Sequence, residues 1–488
     1  MTDRPDSSID LDRAARLVRD GRFGEAQQAY SAGLAENPDQ PEAWFNLAWL
    51  QRASRAFDGA LISYSQAIAH GVARPEEAFL NRATILSEHF HQTEAAVEEL
   101  RAALSLNPGF VQGWLNLGSL YEDLGKSGEA GDAYRRVVAL EPGNGRAHGR
   151  LGVIEAVTDD PGRAIARLKE VLQSASNPED RAEMLFALGT ALDAQRSFDD
   201  AFQAFEAANW LARSVASVRY DPAAQERLVD RLIGMFPHAL APASCEEIQA
   251  PLFICGMFRS GSTLAEQILG RHRKIIAAGE LDFIPALVMS KLQPYPEALG
   301  SCTPAGLELL RDEYRSSLAA LDLGAGLVTD KRCDNFIHIA LLKGLFPTAR
   351  IVNTVRRPLD NLLSIYFLRF GEGVPYGHDL REATHYYIQY RRLMDHWRRV
   401  FGEQIHDFDY DKAVVEPHAN IAELLSFIDV EWDEACLATA TGGAVRTASA
   451  WQVRQPLFTR SSGRWRNYEQ HLREVRMMLA AAGIADGA

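Results

Sequence analysis

The densest set of anion-binding groups lies in Pro251–His272, PLFICGMFRSGSTLAEQILGRH. Leu252–Cys255 is a short apolar run that suits a buried strand, and Leu264, Ile268 and Leu269 recur at helical spacing. Between them stand Gly256, Arg259, Ser260, Gly261, Ser262 and Thr263. A strand that turns through glycine into a helix aims unpaired backbone N–H groups at one point. The helix dipole adds partial positive charge there. Gly261 lets a phosphate approach the backbone, and Ser262 and Thr263 add hydroxyls. The stretch is nearly the ATP-binding loop G-x-x-x-x-G-K-[ST], but Ser262 stands where that loop has lysine. A kinase or NTPase without that lysine is poorly equipped to hold a γ-phosphate. The cation here is Arg259, three residues earlier.

A second strand-to-helix junction lies in Ala349–Phe370, ARIVNTVRRPLDNLLSIYFLRF. Arg350–Val355 reads as a strand, and Pro358 suits the first turn of a helix. Arg356 leaves the strand end, and Ser364 returns from the helix eight residues later. Read alone, Arg356 and Arg357 are equally solvated loop charges. Other stretches carry chemistry of their own: AAGELDFIP with Glu280 and Asp282, GLVTDKRCDNF with Lys331, IHDFDYDKAVVEP, TASAWQVRQPLF with Ser449, and SSGRWRNYEQHL with Gly463, Arg464 and Trp465.

In this order, the stretches over residues 250–475 resemble sulfotransferases that use 3′-phosphoadenosine-5′-phosphosulfate (PAPS), and the tyrosylprotein sulfotransferases among them. Their phosphate loop has Lys or Arg followed by Ser-Gly-Thr-Thr; here it reads Arg259-Ser260-Gly261-Ser262-Thr263. The resemblance implies that this loop holds the donor's 5′-phosphosulfate and that Arg356 and Ser364 hold its 3′-phosphate. It implies that Lys331 lies near the transferred group and that Ser449 contacts the sulfate region. Gly463, Arg464 and Trp465 would close over the nucleotide. The family's base comes from a Gly-Glu-Glu segment; this chain reads Gly279-Glu280-Leu281-Asp282, so Glu280 is the expected base and Asp282 the alternative. Arg259 and Lys331 would stabilise developing negative charge. No metal is expected. His338 and His396 are distant candidates, since small-molecule sulfotransferases use a histidine base. The acceptor is a hydroxyl on a protein, for instance a tyrosine, on a glycan or on a small molecule. The rival readings are a P-loop-type nucleotide kinase or NTPase and a catalytically inactive interaction scaffold.

These groups need a parallel α/β sheet to position them, and a different architecture precedes it. Asn37–Leu50, NPDQPEAWFNLAWL, returns as NPGFVQGWLNLGSL (Asn107–Leu120) and as EPGNGRAHGRLGVI (Glu141–Ile154). Asn107-Pro108 and Glu141-Pro142 lie 34 residues apart, and Leu188-Gly189 continues the series. A period near 34 with W-x-x-L-G/A and a closing Pro resembles the tetratricopeptide repeat. Each repeat is two helices whose apolar faces are covered only by stacking on neighbours. The small residues Ala48, Gly118 and Gly152 fall where helices approach closely. The expected organisation is an all-α repeat solenoid over 10–212, a helical connector and linker over 213–250, and an α/β P-loop-like sulfotransferase domain over 251–480. The array is expected to bind a protein or peptide.

The whole-chain properties agree with two or more domains. The chain has 488 residues, too many for one core, with 47% hydrophobic and 24% charged residues. A formal charge of −14 argues against nucleic-acid binding, which needs a basic face. The start, MTDRPDSSIDLDR, lacks a signal peptide's order, and no apolar run suits a membrane span, so a cytoplasmic location is expected. Five scattered cysteines without CxxC spacing suggest neither a disulfide framework nor zinc. The basic run Arg271-His272-Arg273-Lys274 reads as solvated helix-end charge.

Overall fold

The computed structural model describes residues 7–90, 92–158, 160–241, 250–438 and 462–486. It divides into two compact units between Asp160 and Pro161.

The first unit is a run of paired helices: Ser7–Arg19 with Phe23–Glu36, Pro41–Ala53 with Phe57–Ala69, Pro75–Glu88 with Thr93–Leu106, and Val111–Asp123 with Ser127–Leu140, followed by Gly145–Thr158. The repeated Pro and Trp positions have one physical cause. Trp44 Nε1 donates to the Pro38 carbonyl at 2.8 Å, and Trp114 Nε1 to the Pro108 carbonyl at 3.0 Å. His148 Nε2 lies 2.9 Å from the Pro142 carbonyl. Each bond ties the turn before a helix to that helix's first turns, so the indole (or imidazole) caps a carbonyl left over by the preceding chain. The small residue of the repeat has a steric cause: a Cβ on Gly118 would lie 2.7 Å from the Tyr134 ring. The buried Tyr134 hydroxyl in turn donates to Glu122 Oε1 at 2.6 Å.

The second unit opens with more helices, Pro161–Ser174, Pro178–Ala194 and Phe198–Val215. Gly189 and Phe205 repeat the Gly118–Tyr134 contact, with a Gly189 Cβ placed 2.7 Å from the ring. The stretch expected to be a connector contains the helix Pro222–Met235, which is docked rather than free. His396 Nε2 meets the Phe236 carbonyl at 2.9 Å, and Arg392 meets Asp230 at 2.7 Å. Residues 242–249 lie outside the described residues.

Then comes a wholly parallel five-stranded sheet: β1 Leu252–Gly256, β2 Ile275–Ala277, β3 Leu327–Lys331, β4 Ile351–Val355 and β5 Ile405–Asp409, in the spatial order β2-β3-β1-β4-β5. Every residue of β1 is buried, as a central strand covered on both faces requires. From β1 the chain passes to the edge strand β2, returns inward to β3, and then crosses to β4 and β5 on the other side of β1. The crevice between the carboxyl ends of β1 and β4 is therefore the switch point where such sheets bind ligands. No helix among the described residues is long and apolar enough to cross a membrane.

Candidate active site

Strand order decides which side chains meet. Parallel neighbours lie about 4.8 Å apart, so groups just past adjacent strand ends reach one another. Read across the sheet, Glu280 follows β2, Lys331 ends β3, Arg259 and Gly261 follow β1, Arg356 follows β4, and Tyr410 follows β5.

The phosphate loop is tight because its residues bond inward. Gly256 has φ +145°, and a Cβ there would sit 2.5 Å from the Thr354 carbonyl on β4. Ser260 Oγ lies 2.6 Å from Thr354 Oγ1, and Ser260 N bonds the Met257 carbonyl. Ser260 is thus a strut of the loop, and its hydroxyl is used within the protein. Gly261 is the left-handed N-cap (φ +106°) of the helix Ser262–Leu269, and a Cβ there would meet the Tyr410 ring at 2.8 Å. Ser262 and Thr263 open that helix, and Ser262 Oγ is 3.4 Å from Cys333 Sγ.

Both arginines lie at the crevice. Arg259 holds a left-handed backbone (φ 68°), and its Nε donates to Ser364 Oγ at 3.1 Å. Arg356 Nη1 donates to the Arg259 carbonyl at 3.2 Å, with the guanidinium 4.8 Å from the Tyr410 ring centre. Burial pushes the Arg259 pKa down to about 10, and the Arg356 charge pushes the same way. Burial also lowers that of Arg356. Two desolvated cations side by side disfavour each other, and a multiply charged anion between them would relieve both. By charge and by the donors they present, these residues fit a phosphorylated nucleotide.

On the other side of β1, Lys331 Nζ lies 2.6 Å from Glu280 Oε1. Burial pushes the ammonium pKa down, but Glu280 and Glu266 more than offset it, so the net direction is upward. Glu280 sits in a segment fastened at Gly279, whose N–H donates to Glu266 Oε1 at 2.9 Å and whose carbonyl accepts from Lys331 N at 3.0 Å. Asp282 is instead paired with Arg332 at 2.6 Å and is 73% exposed. The two candidate bases are thereby separated: one faces the buried lysine and the other faces solvent.

The C-terminal segment from Ser462 is anchored by residues the motifs did not single out. Asp360, in the first turn of the helix Pro358–Tyr366, accepts from Gly463 N at 2.6 Å and Trp465 N at 2.9 Å. Asp411 accepts from Arg357 N at 2.7 Å and Ser462 Oγ at 2.6 Å. Arg357 also bonds Ser462 Oγ at 3.0 Å, so it is a bridging group and not a solvated charge. An Asp two residues past an N-terminal Pro reads in sequence as a dipole complement, and nothing in its spacing reveals a bond 100 residues away. Ser449 lies outside the described residues.

The two histidine candidates are His396 and His338. His396 is buried on the Phe236 carbonyl. His338 ends the turn Cys333–His338, where burial pushes its pKa down to about 4. His272, read as part of a solvated basic run, is buried; it bonds the Glu431 carbonyl at 3.0 Å and accepts from Lys274 N at 3.1 Å. Burial raises the pKa of Cys333 to about 11, as for an inert interior thiol. Among the described residues, no group of three or more His, Cys, Asp or Glu side chains is placed to hold a metal ion.

Residues 251–434 match the sulfotransferase family, and residues 11–78, 90–145 and 150–210 match the tetratricopeptide repeat. An uncharacterized protein of Aquifex aeolicus (strain VF5) is 29% identical over 425 residues, 82% of this chain and 54% of its own length. Protein-tyrosine sulfotransferase A of Caenorhabditis elegans is 23% identical over 198 residues, 38% of this chain and 51% of its own. The chain therefore spans about half the length of either relative. A solved sulfotransferase domain from the curacin biosynthetic pathway covers 49% of this chain and 99% of its own, at 16% identity and a TM-score of 0.38. The chain thus joins a tetratricopeptide-repeat array, over residues 11–210, to a sulfotransferase-family domain over residues 251–434.

Proposed function

We propose that the chain transfers a sulfuryl group from PAPS to an acceptor hydroxyl. The observation that carries this reading is the pair formed by the buried Arg259 and the half-buried Arg356 at the β1–β4 crevice, with Ser364 on Arg259. When bound, PAPS supplies the sulfuryl group, and adenosine 3′,5′-bisphosphate remains after transfer. The helix N-terminus at Gly261–Thr263 receives the 5′-phosphate oxygens. Arg356 and Ser364 hold the 3′-phosphate, and Gly463, Arg464 and Trp465 cover the nucleotide. Trp465 Nε1 is buried without a hydrogen-bond partner among the described residues, which supports a polar neighbour there. Glu280 takes the acceptor's proton, and Lys331 and Arg259 oppose charge developing on the leaving oxygen.

The acceptor we favour is a tyrosine hydroxyl of a protein held by the repeats. Its support is the similarity to a protein-tyrosine sulfotransferase and the presence of a repeat array in the same chain. Two measurements test these statements. A ligand that binds only the folded state raises the melting temperature, so adenosine 3′,5′-bisphosphate should raise it and ATP should not. A rise with ATP alone would make the domain a kinase or NTPase. Incubation with sulfur-labelled PAPS and a fractionated extract should then place label on protein tyrosine; label confined to glycan or small molecules would overturn the acceptor assignment.

A further inference from the structure

The last two repeat helices of the second unit are built into the donor side of its sheet domain. Asn209, buried on Phe198–Val215, donates from Nδ2 to the Tyr366 carbonyl at 2.8 Å, at the end of the helix that carries Ser364. Its Oδ1 is 3.1 Å from His378 Nδ1. Phe205 stacks on Phe367 with ring centres 4.1 Å apart. Most directly, Asp193 near the end of Pro178–Ala194 grips Arg464 with both oxygens: Nε on Oδ1 at 3.2 Å and Nη2 on Oδ2 at 2.9 Å. Tyr468 donates to the same Oδ1 at 2.5 Å. The Arg464 guanidinium also lies 4.9 Å from the Phe367 ring centre.

This grip has an electrostatic purpose. The Arg464 charge reaches Arg259 and Arg356, and it lowers the pKa of each. A third cation near two others is driven towards solvent unless a carboxylate holds it. Asp193 is that carboxylate, and its forked contact fixes the plane of the guanidinium as well as its position. We propose that Asp193 is a positioning residue that holds Arg464 over the donor nucleotide, which makes the final repeat a working part of the transferase site. The proposal rests on the bisphosphate-binding reading above.

Calorimetric titration of adenosine 3′,5′-bisphosphate into the full chain tests it, with a melting curve for each variant. The unsubstituted chain comes first: absence of binding there sinks the donor reading, and this proposal with it, before any substitution is made. Given binding, Asp193→Ala and Arg464→Ala should each raise Kd by about ten-fold, and the double variant should be no weaker than either single one, because the two act as one unit. Tyr468→Phe removes the other bond to Asp193 and leaves Arg464 in place; it should lower the melting temperature and keep the affinity. Multiplying effects in the double variant, or an Asp193→Ala chain that melts lower yet binds the bisphosphate with unchanged Kd, would show Asp193 to be a packing contact only and would overturn the proposal.

Discussion

Lys331 Nζ lies 2.6 Å from Glu280 Oε1, with the lysine side chain 1% exposed and the glutamate 47% exposed. A buried cation thus holds one end of a carboxylate whose remainder reaches solvent, which is the placement needed by a group that must meet an incoming hydroxyl. Burial of Lys331 without that partner would be costly, so the pair also stabilises the β3 end.

Glu280→Gln should lower kcat by roughly 10²–10⁴-fold, the usual worth of a general base, while binding of adenosine 3′,5′-bisphosphate persists. Asp282→Asn, which breaks only the exposed pair with Arg332, should turn over normally. The reverse pattern in steady-state assays would move the base to Asp282.

On the proposed reading, Arg356 and Ser364 contribute differently to one bound phosphate. Arg356→Ala should weaken bisphosphate binding by about 100-fold, in line with the 2–5 kcal/mol typical when one partner of a buried charge pair is lost. Ser364→Ala should cost about 1 kcal/mol, one hydrogen bond. Adenosine 5′-phosphate, which lacks the 3′ group, should bind both variants as it binds the unsubstituted chain. Equal losses for both nucleotides in calorimetry would place these residues elsewhere.

Within the repeat array, two glycines of one helical pair should respond oppositely to alanine. Gly118→Ala puts a Cβ 2.7 Å from the Tyr134 ring and should destabilise by about 1–3 kcal/mol, the cost of overpacking. Gly128→Ala meets nothing within 4 Å and should stabilise by up to about 1 kcal/mol through helix propensity. Urea unfolding of each variant reads both signs.

Asp330 gives the stability a pH dependence of identifiable sign. Burial pushes its carboxyl pKa up to about 7, against an opposing Tyr314 hydroxyl at 2.8 Å. Between the ordinary value of 3.8 and about 7 the folded chain keeps a proton that the unfolded chain has released. This group's contribution is therefore complete at low pH and lost as pH rises to 7. His338, with its pKa pushed down to about 4 by burial, acts oppositely and costs stability as pH falls below its ordinary 6.5. Asp330→Asn removes only the first effect, so the variant should gain stability relative to the unsubstituted chain as pH rises from 4.5 to 8. Parallel urea midpoints across that range would contradict this.

The amino-acid sequence alone showed the repeat helices and the strand-to-helix junctions at 252–269 and 350–366, but not the short edge strand Ile275–Ala277. The recurring Trp and Gly positions of the repeats were legible because their partners lie six or sixteen residues away, as Trp114 to Pro108 and Gly118 to Tyr134. Strand, glycine turn and helix at 252–269 were legible because burial and turn geometry are local. Tertiary structure alone decided which strand ends adjoin, and hence that Lys331 meets Glu280 while Arg356 meets Arg259. It also decided that Asp193 and Asn209, ordinary residues of a helical repeat, close on a site more than 150 residues away. Local spacing carries no trace of such contacts, because they depend on the order in which the sheet is assembled and on which helix face the sheet domain covers.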